Sequence, residues 1–347
     1  MQIYKYVIKI SKFAVMKKIT TLFLLIIVAF SSCETELDIN TDWEEVTVVF
    51  GLLDQSQDKQ YIRINKAFLG NENAYVMASI ADSLNFNPEN IEVKLERVSP
   101  TGNILATKIL SDTVMLKDSG TFASDNNIIY TFDTDDFLIE NKNYVLSITN
   151  LINGNVVSAN TNLIHELQLM DYFNNPIYKL GFYSDISKDF TNIPITWDHS
   201  KNAEIYQMSM IVNYNEYGSE GSIVEKSIQK DFPLIDYNGG NEIEQIISGE
   251  VFFDFIANNI EPSTNVNRRI NDVDLLFTAG GGDLHTFMNL NEPPTGIVQE
   301  RPIYTNIING YGLFSCRLNK SQDSIFITQD TKKAIADSLQ YLNFIYP

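Results

Sequence analysis

The residue types most able to do chemistry in this 347-residue chain are three histidines, two cysteines and one run of three glycines. Gly280-Gly281-Gly282 stands ahead of a helix start, the arrangement in which backbone N–H groups cradle a phosphate. No Lys-Ser/Thr pair follows it, and Asp283 occupies the place an anion would take. The run therefore predicts positive-φ turns or a tight chain crossing, with Asp283 as the helix N-cap. His285 and Asp283 have the types of a triad or a metal site. The other histidines, His165 and His199, are distant in sequence, none has His-x-x-x-His spacing, and no serine lies in Gly-x-Ser-x-Gly. A lone histidine beside a glycine turn predicts a structural role. Asp38, Asn40 and Asp42 have the alternate spacing of a calcium loop. Trp43 stands where that loop needs glycine, and Val49 where it needs a bidentate glutamate. Asp133, Asp135 and Asp136 read as a solvated turn. Among 44 acidic residues, a carboxylate pair for glycoside hydrolysis cannot be selected without geometry. The sequence assigns no catalytic, metal-binding or cofactor-binding residue, and leaves the ligand open.

Cys33 is different, because its surroundings give it a chemistry. An apolar stretch from Leu22 to Phe30 is much shorter than the about 20 residues a membrane-spanning helix needs. Lys17 and Lys18 precede it and Ser31 and Ser32 follow, as in a secretory signal peptide over residues 1–32; Met16 offers an alternative start. Phe30-Ser31-Ser32-Cys33 resembles the bacterial lipobox, in which the cysteine is acylated and becomes the first residue of the mature chain. The alternative is an ordinary signal peptide with an incidental cysteine. Acyl chains anchor because each buried methylene contributes about 0.8 kcal/mol.

Cleavage before Cys33 removes five lysines and no acid, leaving 20 basic against 44 acidic residues, a formal charge of −24. Such a surface disfavours nucleic acid and anionic headgroups. With Cys33 acylated, Cys316 has no partner for an intrachain disulfide. Residues 33–45 are rich in acid and read as a solvated tether; Glu34, Glu36 and Asp38 also resemble the surface-export signal of Bacteroidota lipoproteins. The expected location is the outer membrane, lipid-anchored and facing the cell surface, with the periplasmic face as the alternative.

The elements that follow are mainly strands. Val46-Thr47-Val48-Val49-Phe50 and Ile91-Glu92-Val93-Lys94-Leu95 alternate with period two, and turn clusters separate further β-branched and aromatic runs. Residues 46–164 predict an immunoglobulin- or fibronectin-like β-sandwich. Within it, Leu138 lies six residues before Tyr144, the spacing of a tyrosine corner, with an ordinary core tyrosine as the alternative. Val76, Ile80 and Leu84 predict a short inserted helix over 73–86. Residues 165–347 predict a second, mixed β-rich domain. There Trp197 and the stripe Tyr206, Met208, Met210, Val212 and Tyr214 read like strands B and C of a fibronectin-type sandwich. Helices are expected near 248–260, with apolar positions 251, 252, 255, 256 and 260, and near 331–342. Asn309-Gly310 predicts a terminal hairpin closing this second core, with Cys316 a small buried thiol.

The lipobox, the "CETELD" start, the "VTVVFGLL" strand and "YTNIINGYGLFSCR" together resemble a family of uncharacterised Bacteroidota outer-membrane lipoproteins. Asn306-Ile307, Asn309-Gly310 and Gly312-Leu313-Phe314 are the most specific part of the likeness. Members are often encoded beside TonB-dependent transporters, which implies an accessory role in nutrient capture with such a β-barrel. The family offers no catalytic residue to carry over. The leading expectation is a non-enzymatic binding or accessory lipoprotein. An adhesin or envelope structural subunit is the alternative, and a glycan-active hydrolase a more distant one.

Overall fold

Strand β1 (Val46–Asp54) alternates with period two, but its buried face is Thr47, Val49 and Leu53, while Val46 and Val48 are half-buried and Phe50 is 43% exposed on the other face. It is the first element of a computed structural model that describes residues 46–67, 84–116, 127–140, 142–218, 221–291 and 303–346. Cys33, Glu34, Glu36, Asp38 and the whole 33–45 tether lie outside the described residues, as does the expected 73–86 helix apart from 84–86.

The first sandwich has two sheets. One holds β1, β2 (Lys59–Ala67), β5 (Ser111–Val114) and β6 (Ile128–Asp133) in the order β1-β2-β6-β5. The other holds β3 (Ile91–Val98), β4 (Ile104–Ile109), β7 (Asn143–Asn150) and β8 (Val156–Asn162) in the order β4-β3-β7-β8. In chain order these are A-B-E-D and C′-C-F-G, the two sheets of an immunoglobulin- or fibronectin-type sandwich. The tyrosine corner is present. Tyr144, fully buried at the start of β7, donates its hydroxyl proton to the Phe137 carbonyl at 2.8 Å and accepts from the Ile139 N–H at 2.7 Å. One side chain thus satisfies two backbone groups at the bend between β6 and β7, where no ladder partner reaches them.

The second half repeats the plan with fewer strands and more aromatic fill. Leu169 bridges to Trp197 on β11 (Ile193–Asp198), and β11 pairs with β15 (Glu242–Ile247). Opposite run β12 (Ala203–Tyr217), β13 (Ile223–Asp231), β16 (Asn267–Gly281) and β17 (Tyr311–Ile325), in the order β13-β12-β16-β17. Minor pairs are β9 (Tyr183–Ser184) with β10 (Asp189–Phe190), and β14 (Ile235–Asp236) on β12. Trp197 packs at 5.0 Å from Phe277, and the Tyr206-to-Tyr214 stripe lies in the core as its period requires. Helix α1 (Gly249–Asn259) links β15 to β16, α2 (Gly282–Asn291) follows β16, and α3 (Gln329–Ser338) follows β17. The buried face of α1 is rotated from the expected one: Phe253 is buried and Val251 is 41% exposed. Its neighbours explain this, since Phe252 stacks on Phe182 at 3.8 Å while Phe253 meets Phe190 on β10.

Two expectations are corrected. The chain was expected to divide into domains at 164/165, but β1 pairs in parallel with β17, from Val48–Tyr311 to Asp54–Arg317. A single sheet therefore runs β13-β12-β16-β17-β1-β2-β6-β5 through both sandwiches, and their buried apolar residues form one cluster. Nor is Asn309-Gly310 a hairpin turn. Before it, Ile308 bridges to Ser158 on β8; after it, β17 enters beside β1. Glycine is required here: Gly312 has φ +115°, and a Cβ on it would lie 1.9 Å from the Val49 carbonyl oxygen. The earlier run has no positive φ. It is a tight crossing, because a Cβ on Gly280 would meet Ile205 at 2.7 Å and one on Gly281 the Cys316 sulfur at 2.9 Å.

Candidate functional site

Residues of the seam between the sandwiches also position a groove. Helix α2 leaves the end of β16 and packs on β17, where the Leu284 N–H donates to Ser315 Oγ at 3.2 Å. Because the helix begins at Gly282, Asp283 lies in its first turn and is not the N-cap. Its carboxylate accepts from the Tyr304 hydroxyl at 2.5 Å. Burial and this carboxylate push the Tyr304 pKa up to about 12, so the phenol stays protonated.

On one side of α2 its apolar residues Leu284, Phe287 and Met288 face Phe50, Leu52 and Tyr61 across an open cavity of about 570 Å³. Phe50 and Phe287 meet edge to face at 6.0 Å. The other end is polar. Asp54 is 2% exposed, and four donors hold it: the Ser56 N–H at 3.0 Å, Ser56 Oγ at 2.5 Å, Asn319 Nδ2 at 2.7 Å and Arg317 Nε at 3.1 Å. Gln60 fixes the same turn, accepting from the Asp54 N–H and donating to the Asp54 carbonyl and to Thr134 Oγ1. Only Nε of Arg317 is engaged among the described residues, and the side chain is 46% exposed, so its two terminal nitrogens remain donors for something else. Lys59, also at this end, pairs with Asp133 at 3.2 Å on the surface.

An apolar wall closed at one end by a fixed guanidinium can orient a small amphiphile. The volume lies within the range of roughly 300–1,000 Å³ common to ligand pockets. Two smaller cavities, of about 340 and 310 Å³, lie beside Lys332 and beside Lys188 and Lys333.

The residues weighed for chemistry in the sequence do not converge. His285 Nε2 lies 3.0 Å from Asp236 Oδ1, on β14, and 2.8 Å from Asn289 Nδ2. His199 stacks on Tyr237 at 3.6 Å, and burial lowers its pKa. Asp133 and Asp135 each pair with a surface lysine. Among the described residues, no three His, Cys, Asp or Glu side chains gather as a metal site would need. Cys316 is buried, donates to the Asn162 carbonyl at 3.0 Å, and has its pKa pushed up to about 11 by burial, which keeps the thiol inert. The groove residues carried only faint signals. Phe50 is the large apolar residue on the outward face of an alternating strand, and Leu284, Phe287 and Met288 recur at helical spacing.

No model of a known protein family matches the sequence, and no curated protein does.

Proposed function

We propose that the protein is a lipid-anchored, non-catalytic binding protein of the outer membrane, fixed at the cell surface through Cys33, that captures a small ligand for a TonB-dependent β-barrel transporter. The groove between α2 and the β1–β2 hairpin carries this reading. Its apolar wall would take the body of an amphiphile, and the Arg317 nitrogens that no described residue engages its hydrogen-bond-accepting or anionic group. Asp54 already neutralises Arg317 in part, so the site favours a weak acid or neutral acceptor over a polyanion. The acidic surface acts in the same direction, since a charge of −24 keeps large polyanions away.

Anilinonaphthalene sulfonate, an aromatic anion whose fluorescence rises in apolar surroundings, is a suitable probe. Saturable binding is expected from the wild type, and several-fold weaker binding from Phe50→Ser and from Arg317→Gln at unchanged circular dichroism. Identical titrations in both variants would place the ligand site elsewhere. Tagged protein recovered from solubilised outer membranes is expected to bring down a β-barrel in near-equal amount. Its absence would remove the transporter from the proposal and leave a free-standing binder.

A further inference from the structure

Two uncharged runs meet at the end of the first sandwich where β1 begins. The β7–β8 turn and the start of β8, Asn150-Leu151-Ile152-Asn153-Gly154-Asn155-Val156, hold no acid or base, and neither does the run from Ile303 to Gly312. Hydrogen bonds bring the two together. Ile308 exchanges both backbone bonds with Ser158, at 2.7 and 3.2 Å, and Asn309 Nδ2 donates to the Val156 carbonyl at 3.1 Å. Tyr311 then pairs with Val48, at the start of β1. Along this end Leu151 is 59% exposed, Ile152 74%, Val156 45%, Ile308 58% and Tyr311 50%. The asparagines of the turn fold it by bonding its own backbone, as Asn150 Oδ1 does with the Ile152 N–H. Among the described residues, the charged side chains of this end, Glu89 and Lys66, belong to the neighbouring 88–90 turn and to β2.

In a chain this acidic, five exposed large apolar side chains on two uncharged runs that meet at one end call for an apolar partner. We infer that this end docks on the lipid surface in which Cys33 is anchored, with Leu151 and Ile152 entering the interfacial region and Tyr311 at headgroup level. The inference rests on the lipid-anchor reading. Its own ground is placement: β1 starts at Val46, and residues 34–45 between it and Cys33 span about 40 Å at most when fully extended. The anchor therefore keeps this same end near the bilayer. Aromatic and apolar side chains without charge are suited to that interface, and a neutral patch avoids the repulsion that an acidic surface meets from anionic headgroups.

The test places a tryptophan at the patch and another away from it. Full-length Ile152→Trp and Ile186→Trp proteins would be reconstituted into phosphatidylcholine vesicles carrying brominated acyl chains, Ile186 being 96% exposed on the β9–β10 loop. Each variant's quenching would be corrected for the signal of the unsubstituted protein. Several-fold stronger quenching at position 152 is expected, and its loss on adding Leu151→Asp. Equal quenching at the two positions overturns the inference. Mass spectrometry of the same samples reads Cys33 acylation separately. An acylated protein without selective quenching retains the anchor and loses the docking face; selective quenching without acylation does the reverse. Shielding of position 152 only when a β-barrel co-purifies would assign the face to a protein partner and overturn the lipid surface as its occupant.

Discussion

The two sandwiches share a strand plan and differ in how each completes its core. The first pairs two four-stranded sheets, and a hydroxyl on Tyr144 fixes its sharpest bend. The second sets only β11 and β15 against a four-stranded face, and the missing strands are replaced by rings: Phe182 on Phe252, Phe253 against Phe190, Trp197 against Phe277. One topology thus tolerates two kinds of filling, because the requirement is a closed apolar layer at native density and not a fixed number of strands. What neither half supplies alone is the seam. There β1 and β17 satisfy each other's ladder, removing two exposed edges at once. The groove is a consequence, since its floor comes from one sandwich and its α2 wall from the other.

The comparison breaks most sharply at the seam. Gly312→Val places a Cβ inside the Val49 carbonyl and forces a positive φ on a β-branched residue. A loss of more than ~4 kcal/mol is expected, seen as failure to accumulate folded protein or as collapse of the denaturation midpoint. Because the sheet is shared, both halves should lose protection from proteolysis. Survival of a protease-resistant first sandwich would mean that the seam is not what joins them.

A smaller effect belongs to the second sandwich. Arg268, 3% exposed, pairs with Glu216 at 2.8 Å and donates to the Leu342 carbonyl at 2.7 Å, tying β16 to the chain beyond α3. Burial raises the pKa of Glu216, but Lys226 and Arg268 outweigh it, and the net value is lowered. A lowered folded-state pKa contributes stability that is present above the ordinary glutamate range and lost as pH falls through the lowered value. Arg268→Met should cost about 3 kcal/mol at neutral pH by stranding part of a buried charge. It should also flatten the acid limb of the stability profile, as urea titrations across that range would reveal. An unchanged acid limb would assign the acid sensitivity to other carboxylates.

The smallest of the three tests the first sandwich. Tyr144→Phe keeps the ring and strands the Phe137 carbonyl and the Ile139 N–H, for a loss of about 1–3 kcal/mol in chemical denaturation. No loss would mean that water replaces the hydroxyl and that the corner adds nothing to stability.

Local features were legible where one residue decides its own environment. Period two identified β1 as a strand but not which of its faces turns inward, since the buried phase is Thr47, Val49 and Leu53 and not Val46, Val48 and Phe50; the spacing from Leu138 to Tyr144 located the corner. The buried face of α1 was misjudged because its partners, Phe182 just before β9 and Phe190 on β10, come from a short distant hairpin whose position no helical period encodes. The seam was hidden for a stronger reason. Val48 and Tyr311 are paired only in space, and the cue for it, a glycine at 312, looks like a turn signal until the Val49 carbonyl is placed beside it. The candidate groove inherits that difficulty, for Phe50, Phe287 and Arg317 each look ordinary on their own strand or helix.

Native-state hydrogen exchange tests the seam most directly. If β1 and β17 join the sandwiches into one cooperative unit, amides of Val49–Leu53 and of Phe314–Cys316 exchange together, at the slowest rates in the protein, through global unfolding. Exchange of β1 with its own sandwich in a separate, faster step, while β17 stays protected, would contradict the account.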